Sequence, residues 1–161
     1  MIFVTVGHQM PFDRMVRAVD QWAAAHNRDD VFAQIGAAKY VPKRIQWSAT
    51  IDPSEFSQRI ADADVVVAHA GMGTILTAFE LGTPILVMPR RAALHETRND
   101  HQVATAQRFF EMGRLAVAMD EHELPEMLDH VSNLTAGGVI SSSASPELIQ
   151  ALVSYIHQTD Q

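Results

Sequence analysis

Apolar positions in this chain follow two rhythms that alternate along its length. One is the short, uninterrupted run: Ile2-Phe3-Val4-Thr5-Val6, Val31 to Ile35, Ile45 to Trp47, Val65-Val66-Val67-Ala68, Ile85-Leu86-Val87-Met88 and Leu115-Ala116-Val117-Ala118. Runs of this length, rich in β-branched residues and bounded by turn residues, read as strands buried on both faces. The other is a three-to-four residue spacing, as in Phe12, Met15, Val16, Val19 and Trp22-Ala23. It marks an amphipathic helix opened by Pro11-Phe12-Asp13. Further helices are predicted from Pro53 to Ala63, from Gly71-Met72-Gly73-Thr74 to Leu81, from Asn99 to Met112 and from Glu121 to Leu134. Gly82 and Gly113 are the expected C-terminal stops. Residues 135–145 are rich in Gly and Ser and read as a linker. Ser145-Pro146-Glu147 then opens a terminal helix to His157, as an N-cap followed by proline. Its stripe of Leu148, Leu152, Val153 and Ile156 either packs on its own domain or docks a partner.

Two-sided strands alternating with helices predict the α/β class: a single Rossmann-like domain with a parallel sheet flanked by helices. It is expected over residues 1–135, with the linker and C-terminal helix over 136–161. The length of 161 residues suits one such domain. Ligands of these sheets sit beyond the carboxyl ends of the strands. Three loops qualify by position: Gly7 to Pro11, His69 to Thr74 and Pro89 to Asn99.

Composition narrows the chemistry. Apolar residues make up 47% and charged residues 19%, which excludes a disordered chain. The absence of cysteine excludes disulfides, thiolate metal sites and Cys nucleophiles. A net charge of −7 argues against a nucleic-acid partner, so any anion must be held by a local site. No apolar run approaches the ~20 residues of a membrane helix. Met1-Ile2-Phe3-Val4 lacks the basic lead of a signal peptide, so cytoplasmic residence is expected.

Three segments can carry chemistry. Val65-Val66-Val67-Ala68-His69-Ala70-Gly71-Met72-Gly73-Thr74 runs from a strand through a glycine turn into a helix. Glycines let backbone N–H groups approach an anion, and a helix N-terminus adds roughly half a positive charge. Thr74 either caps this helix or donates to a phosphate oxygen, and His69 can donate as well; the plain alternative is a tight turn. Arg90-Arg91-Ala92-Ala93-Leu94-His95-Glu96-Thr97-Arg98 is a cationic island after a buried strand, suited to a diphosphate or to a solvated loop. Asn99-Asp100-His101-Gln102 can hydrogen-bond sugar hydroxyls or merely cap a helix. His95 and His101 lack the spacing and third ligand of a metal site, so no metal is expected. Gly7-His8-Gln9 has one glycine where a dinucleotide fingerprint needs three.

Phe3-Val4-Thr5-Val6-Gly7, His69-Ala70-Gly71-Met72-Gly73-Thr74, Gly82-Thr83-Pro84, Met88-Pro89 and Asp100-His101-Gln102 together resemble the family 28 glycosyltransferase C-terminal domain. This is the donor-binding half of a GT-B enzyme, and the resemblance runs from residue 1 to about 135. It is nearest to short bacterial exopolysaccharide proteins similar to the cytosolic subunit of the eukaryotic dolichol-linked N-acetylglucosamine transferase. The resemblance implies a UDP-sugar donor and a membrane-associated partner subunit that carries the acceptor half, with no cofactor; a homo-oligomer stays open. By the same resemblance His69, Gly71, Gly73 and Thr74 would meet the diphosphate; Arg90 and Arg91, placed on the same edge by the buried strand before them, would add positive charge beside it. Asp100, His101 and Gln102 would face the sugar, and Gly7 and His8 would line the crevice. Many GT-B enzymes bind the ribose through a glutamate five residues before the Gly-x-Pro glycine. Here Thr77 stands at that position and Glu80 lies one turn further. His8 and His101 are the candidate general bases. The expected function is the catalytic, donor-binding subunit of a two-subunit transferase in exopolysaccharide synthesis. The alternatives are a non-catalytic module that docks the membrane-associated partner, and a simple phosphate- or nucleotide-binding protein.

Overall fold

A computed structural model describes residues 1–138 and residue 150; the rest of the expected linker and terminal helix lies outside the described residues. The order is β1 (Ile2–Thr5), α1 (Asp13–Ala25), β2 (Val31–Gln34), β3 (Gln46–Ser48), α2 (Pro53–Asp62), β4 (Val65–His69), α3 (Met72–Leu81), β5 (Ile85–Met88), α4 (His101–Glu111), β6 (Ala116–Val117) and α5 (Leu124–Asp129). Single 3-10 turns lie at Ala92–Leu94 and Val131–Asn133. Among the described residues no helix is long and apolar enough to cross a membrane.

The strands form one six-stranded sheet in the order β3-β2-β1-β4-β5-β6, parallel throughout. Period-two alternation sends their side chains to two cores. Val4, Val67, Leu86 and Met88 pack with Phe12, Met15, Val19, Leu124 and Leu128 beneath α1 and α5. Phe3, Val66, Ala68 and Val87 pack with Ile60, Ile75, Phe79 and Ala106 beneath α2, α3 and α4. The chain winds outward from β1 to β3, then returns to β4 and winds the other way. The loops after β1 and β4 therefore part toward opposite faces, and this divergence opens a crevice at the carboxyl ends of the two central strands.

Two helices depart from the sequence reading. The helix expected over Glu121 to Leu134 contracts to α5 because Pro125 is tolerated only in a first turn. At α3, Gly71 rather than Thr74 occupies the cap position, with extended backbone (φ −92°, ψ 128°). Thr74 is a buried residue of the first turn.

The long β2–β3 crossover is pinned by an acid that the helical stripe of α1 hides. Asp20 is 3% exposed. It accepts the backbone N–H groups of Lys43 (3.0 Å), Arg44 (2.8 Å) and Ile45 (3.0 Å) and the hydroxyl of Tyr40 (2.7 Å). Burial pulls its carboxyl up, but those four donors outweigh it and hold it below the usual carboxylate range. The Tyr40 hydroxyl is pushed up to about 12 by burial and by the same carboxylate.

A candidate ligand cleft at the sheet switch point

The crevice is a cleft of about 340 Å³ lined by Gly7, His8, Gln9, His69, Gly71, Gly73, Thr74, Arg90, His101 and Gln102. All three sequence segments thus reach one cleft, but not every residue of them does. Arg91 turns away: its guanidinium donates to the Met119 carbonyl at 2.9 Å. Asp100 turns back to accept the Ala92 N–H at 2.8 Å. Thr77 lies one turn along α3, donating to the Gly73 carbonyl at 2.9 Å. Glu80 is exposed still further along that helix. None of these four lines the cleft.

The floor is built around the His69 imidazole at the end of β4. A Cβ on Gly7 would lie 2.6 Å from its Cε1, and one on Gly71 would lie 2.1 Å from its Nε2. The ring is therefore clasped between two glycines from the two central loops. Gly7 also has φ +73°, a conformation that side chains rarely adopt. Burial drives the His69 ring pKa down to about 4, with the Arg90 charge acting the same way and the Thr5 backbone opposing them. The ring is neutral at pH 7, and its Nδ1 is buried without a partner. Because Gly71 has ordinary extended backbone, its constraint is the ring alone. Gly71→Ala is expected to cost about 1–3 kcal/mol by overpacking. The double variant with His69→Ala should recover most of that loss in a denaturation cycle, whereas Gly7→Ala should stay impaired through its φ.

Sequence reasoning missed the polar network that fixes Gly7. Thr5 Oγ1 donates to Gln34 Oε1 (2.7 Å) and accepts the Gly7 N–H (3.2 Å). Gln34 Nε2 donates to the carbonyls of Gly7 and Ala49, both at 3.2 Å. Two polar residues in strands otherwise apolar are the signal that marks it.

Arg90 forms the opposite wall and is 4% exposed. Its Nη2 donates to the Val6 carbonyl at 2.7 Å and to the Met10 carbonyl, and its guanidinium lies 5.2 Å from the Phe12 ring centre. It forms no ion pair among the described residues, and its Nε is buried with no partner. Burial lowers its pKa, Glu96 partly opposing that. The Arg90 N–H donates to Gln102 Oε1 at 3.2 Å, which leaves the Gln102 amide nitrogen free as a donor. Between these walls α3 begins. A Cβ built on Gly73 meets nothing within 4 Å, so the helix start is open to the cleft. A buried cation without a counterion, a neutral imidazole and an open helix N-terminus make a site for an anion with attached polar groups.

At the rim, Asn99 Oδ1 accepts the His101 N–H at 3.3 Å and also faces the ring Nδ1. An oxygen facing Nδ1 calls for a proton there, which leaves Nε2 as the acceptor in the neutral ring.

The family model described as the glycosyltransferase family 28 C-terminal domain matches residues 1–136, and this chain belongs to that family. The human protein named UDP-N-acetylglucosamine transferase subunit ALG13 is 28% identical over 124 residues, covering 71% of this chain and 10% of that protein. Its mouse counterpart is 29% identical over 123 residues, covering 70% and 10%. The chain thus spans about one tenth of the length of these curated relatives. Among solved structures, the solution structure of ALG13 superposes with a TM-score of 0.61 at 19% identity, over 88% of this chain and 90% of that one. A putative UDP-N-acetylglucosamine 2-epimerase from Listeria monocytogenes gives 0.65 at 14% identity, over 98% and 45%. The glycosyltransferase of kitacinnamycin gives 0.59 at 20%, over 81% and 34%. The fold is the single Rossmann-like α/β domain found in GT-B glycosyltransferases, and family and fold together support a role in sugar transfer.

Proposed function

We propose that this chain is the donor-binding, catalytic subunit of a UDP-sugar transferase whose partner supplies a lipid-linked acceptor in exopolysaccharide assembly. The observation that carries this reading is the buried, counterion-free Arg90 facing the open start of α3 across one cleft. A diphosphate is the group that satisfies both. His69 Nε2, the Thr74 hydroxyl and the first N–H groups of α3 would hold it, and the Gln102 amide and His8 would meet the sugar and the crevice wall. The relatives' name, a UDP-N-acetylglucosamine transferase subunit, supports the donor class and the need for a second subunit.

In the reaction the acceptor oxygen bonds to the anomeric carbon while the bond from that carbon to the diphosphate oxygen breaks. The electron pair leaves with the nucleoside diphosphate, so negative charge grows where Arg90 and the helix N-terminus already point. Stabilisation that increases as charge develops accelerates the step. His101, with Nε2 the acceptor and Asn99 fixing its tautomer, takes the acceptor proton. His8, on the same cleft, is the other candidate.

Thermal unfolding tests the binding step. A ligand at 100 times its Kd stabilises by about 2.7 kcal/mol, and about 1 kcal/mol moves the Tm of a domain this size by roughly 2–4 °C. Saturating UDP should therefore raise the Tm by about 5 °C or more. Thr74→Val and Gly73→Ala should remove the shift, the latter without loss of stability because its Cβ meets only open space. No shift at millimolar UDP would overturn the proposal. An equal shift with inorganic pyrophosphate would favour a phosphate-binding protein without uridine preference.

A further inference from the structure

The chain carries a net charge of −7, yet its only two lysines, Lys39 and Lys43, fall in a single crossover, Gly36 to Ile45, with Arg44 next to the second. Lys39, Lys43 and Arg44 are exposed there, and the Arg17 guanidinium lies 4.9 Å from the Tyr40 ring centre in the same loop. None of these four has an ion-pair partner among the described residues. Most other arginines are committed, to carboxylates or to backbone carbonyls, with Arg98 the exposed exception. Val41 stands between the lysines at 54% exposure, and Trp47 on the edge strand is 42% exposed.

This surface is rigid. The Asp20 carboxylate holds the backbone of residues 43–45, and Asp13 accepts the Lys39 N–H at 3.1 Å. The carboxylates consume main-chain donors and leave the cationic side chains free. Asp13 and the buried Asp20 are the acids that face the loop from α1. The patch is tied to the cleft side of the domain through α1: Gly7 to Gln9 line the cleft, and the helix that follows them starts at Asp13, which accepts the Lys39 N–H.

We propose that this crossover is a docking surface for an anionic phospholipid bilayer, with Lys39, Lys43, Arg44 and Arg17 on the headgroups and Val41 at the interface. Lysine is depleted in protein–protein interfaces, whereas clustered Lys and Arg beside an exposed apolar side chain suit a negatively charged membrane surface. Such contact would bring the cleft to the plane where a lipid-borne acceptor lies. It goes beyond the donor-binding proposal and does not depend on it, because its test contains no nucleotide.

The test is co-sedimentation of the full chain with phosphatidylcholine vesicles with and without 30–40% phosphatidylglycerol, a range chosen on the order of the anionic content of a charged leaflet. Binding to the anionic vesicles at low salt, falling as salt rises, is expected. Each basic side chain near such a surface is worth about fivefold in partitioning. Lys39→Glu with Lys43→Glu should therefore weaken binding by more than about twentyfold, and Val41→Asp should weaken it less. Arg108→Glu on α4, the same charge reversal as either lysine variant taken singly, at an exposed site off the patch, should have little effect, whereas Lys43→Glu alone should weaken binding by about fivefold or more. The variants alter exposed side chains only, and an unchanged Tm confirms that each is folded. Failure to bind anionic vesicles, equal binding to neutral ones, or equal loss with Arg108→Glu would each overturn the proposal.

Discussion

Replacing Asp20 with alanine should lower the unfolding free energy by about 3 kcal/mol, read from urea unfolding by circular dichroism. Three backbone N–H groups and the Tyr40 hydroxyl lose their acceptor together. A hydrogen bond to a charged group contributes about 1.5–3 kcal/mol, but the exposed amides of residues 43 and 44 can turn to water, so the sum is discounted. Asp20→Asn keeps one oxygen and should recover about half of the loss. The sign of the pH effect follows from the depressed carboxyl. The folded chain holds Asp20 ionised below the usual carboxylate range, so this stability is present above the unfolded value of 3.8 and is lost as pH falls through the lower folded value. The alanine variant should lack that acid limb. It should also lose vesicle binding while keeping its response to UDP, because the crossover and the cleft have separate anchors.

The second large effect lies at milder pH. His69 titrates at about 4 in the folded chain against 6.5 in the unfolded one. Between these values the unfolded chain binds the extra proton, so stability is complete above pH 6.5 and falls as pH drops toward 4. At about 1.4 kcal/mol per pH unit the loss approaches roughly 3.5 kcal/mol. His69→Gln should flatten this limb of the stability curve while leaving the Asp20 limb below it. A variant that retains the full slope between pH 6.5 and 4 would show that another group is responsible.

The fold was legible because the strands of a parallel sheet are apolar on both faces, as Val65-Val66-Val67-Ala68 and Ile85-Leu86-Val87-Met88 display. The glycine turn after β4 announced the cleft, since a strand, a turn and a helix in succession can lie only at a carboxyl edge. What escaped was the polar scaffolding. Asp20 occupies a core-facing place in the stripe of Val16, Val19 and Ala23, and its partners lie in a crossover twenty or more residues away. Thr5 and Gln34 meet only through strand pairing. Arg90 and Arg91 look alike in sequence, yet the backbone turn after β5 sends one into the cleft and the other toward Met119. The Glu121 to Leu134 stretch was read too long because helical spacing outweighed Pro125. Spacing leaves Thr74 two roles, cap or phosphate donor, and the extended backbone of Gly71 takes the cap three residues earlier, which places Thr74 in the first turn.

The strand that leads into Gly7, β1, and the strand that ends at His69, β4, are the innermost of the sheet, each shielded by two more on its outer side. Edge strands of three and two residues fray first when the molecule is heated. The floor of the cleft is thus the last region to loosen, and a ligand resting on it meets the same polar atoms until cooperative melting begins.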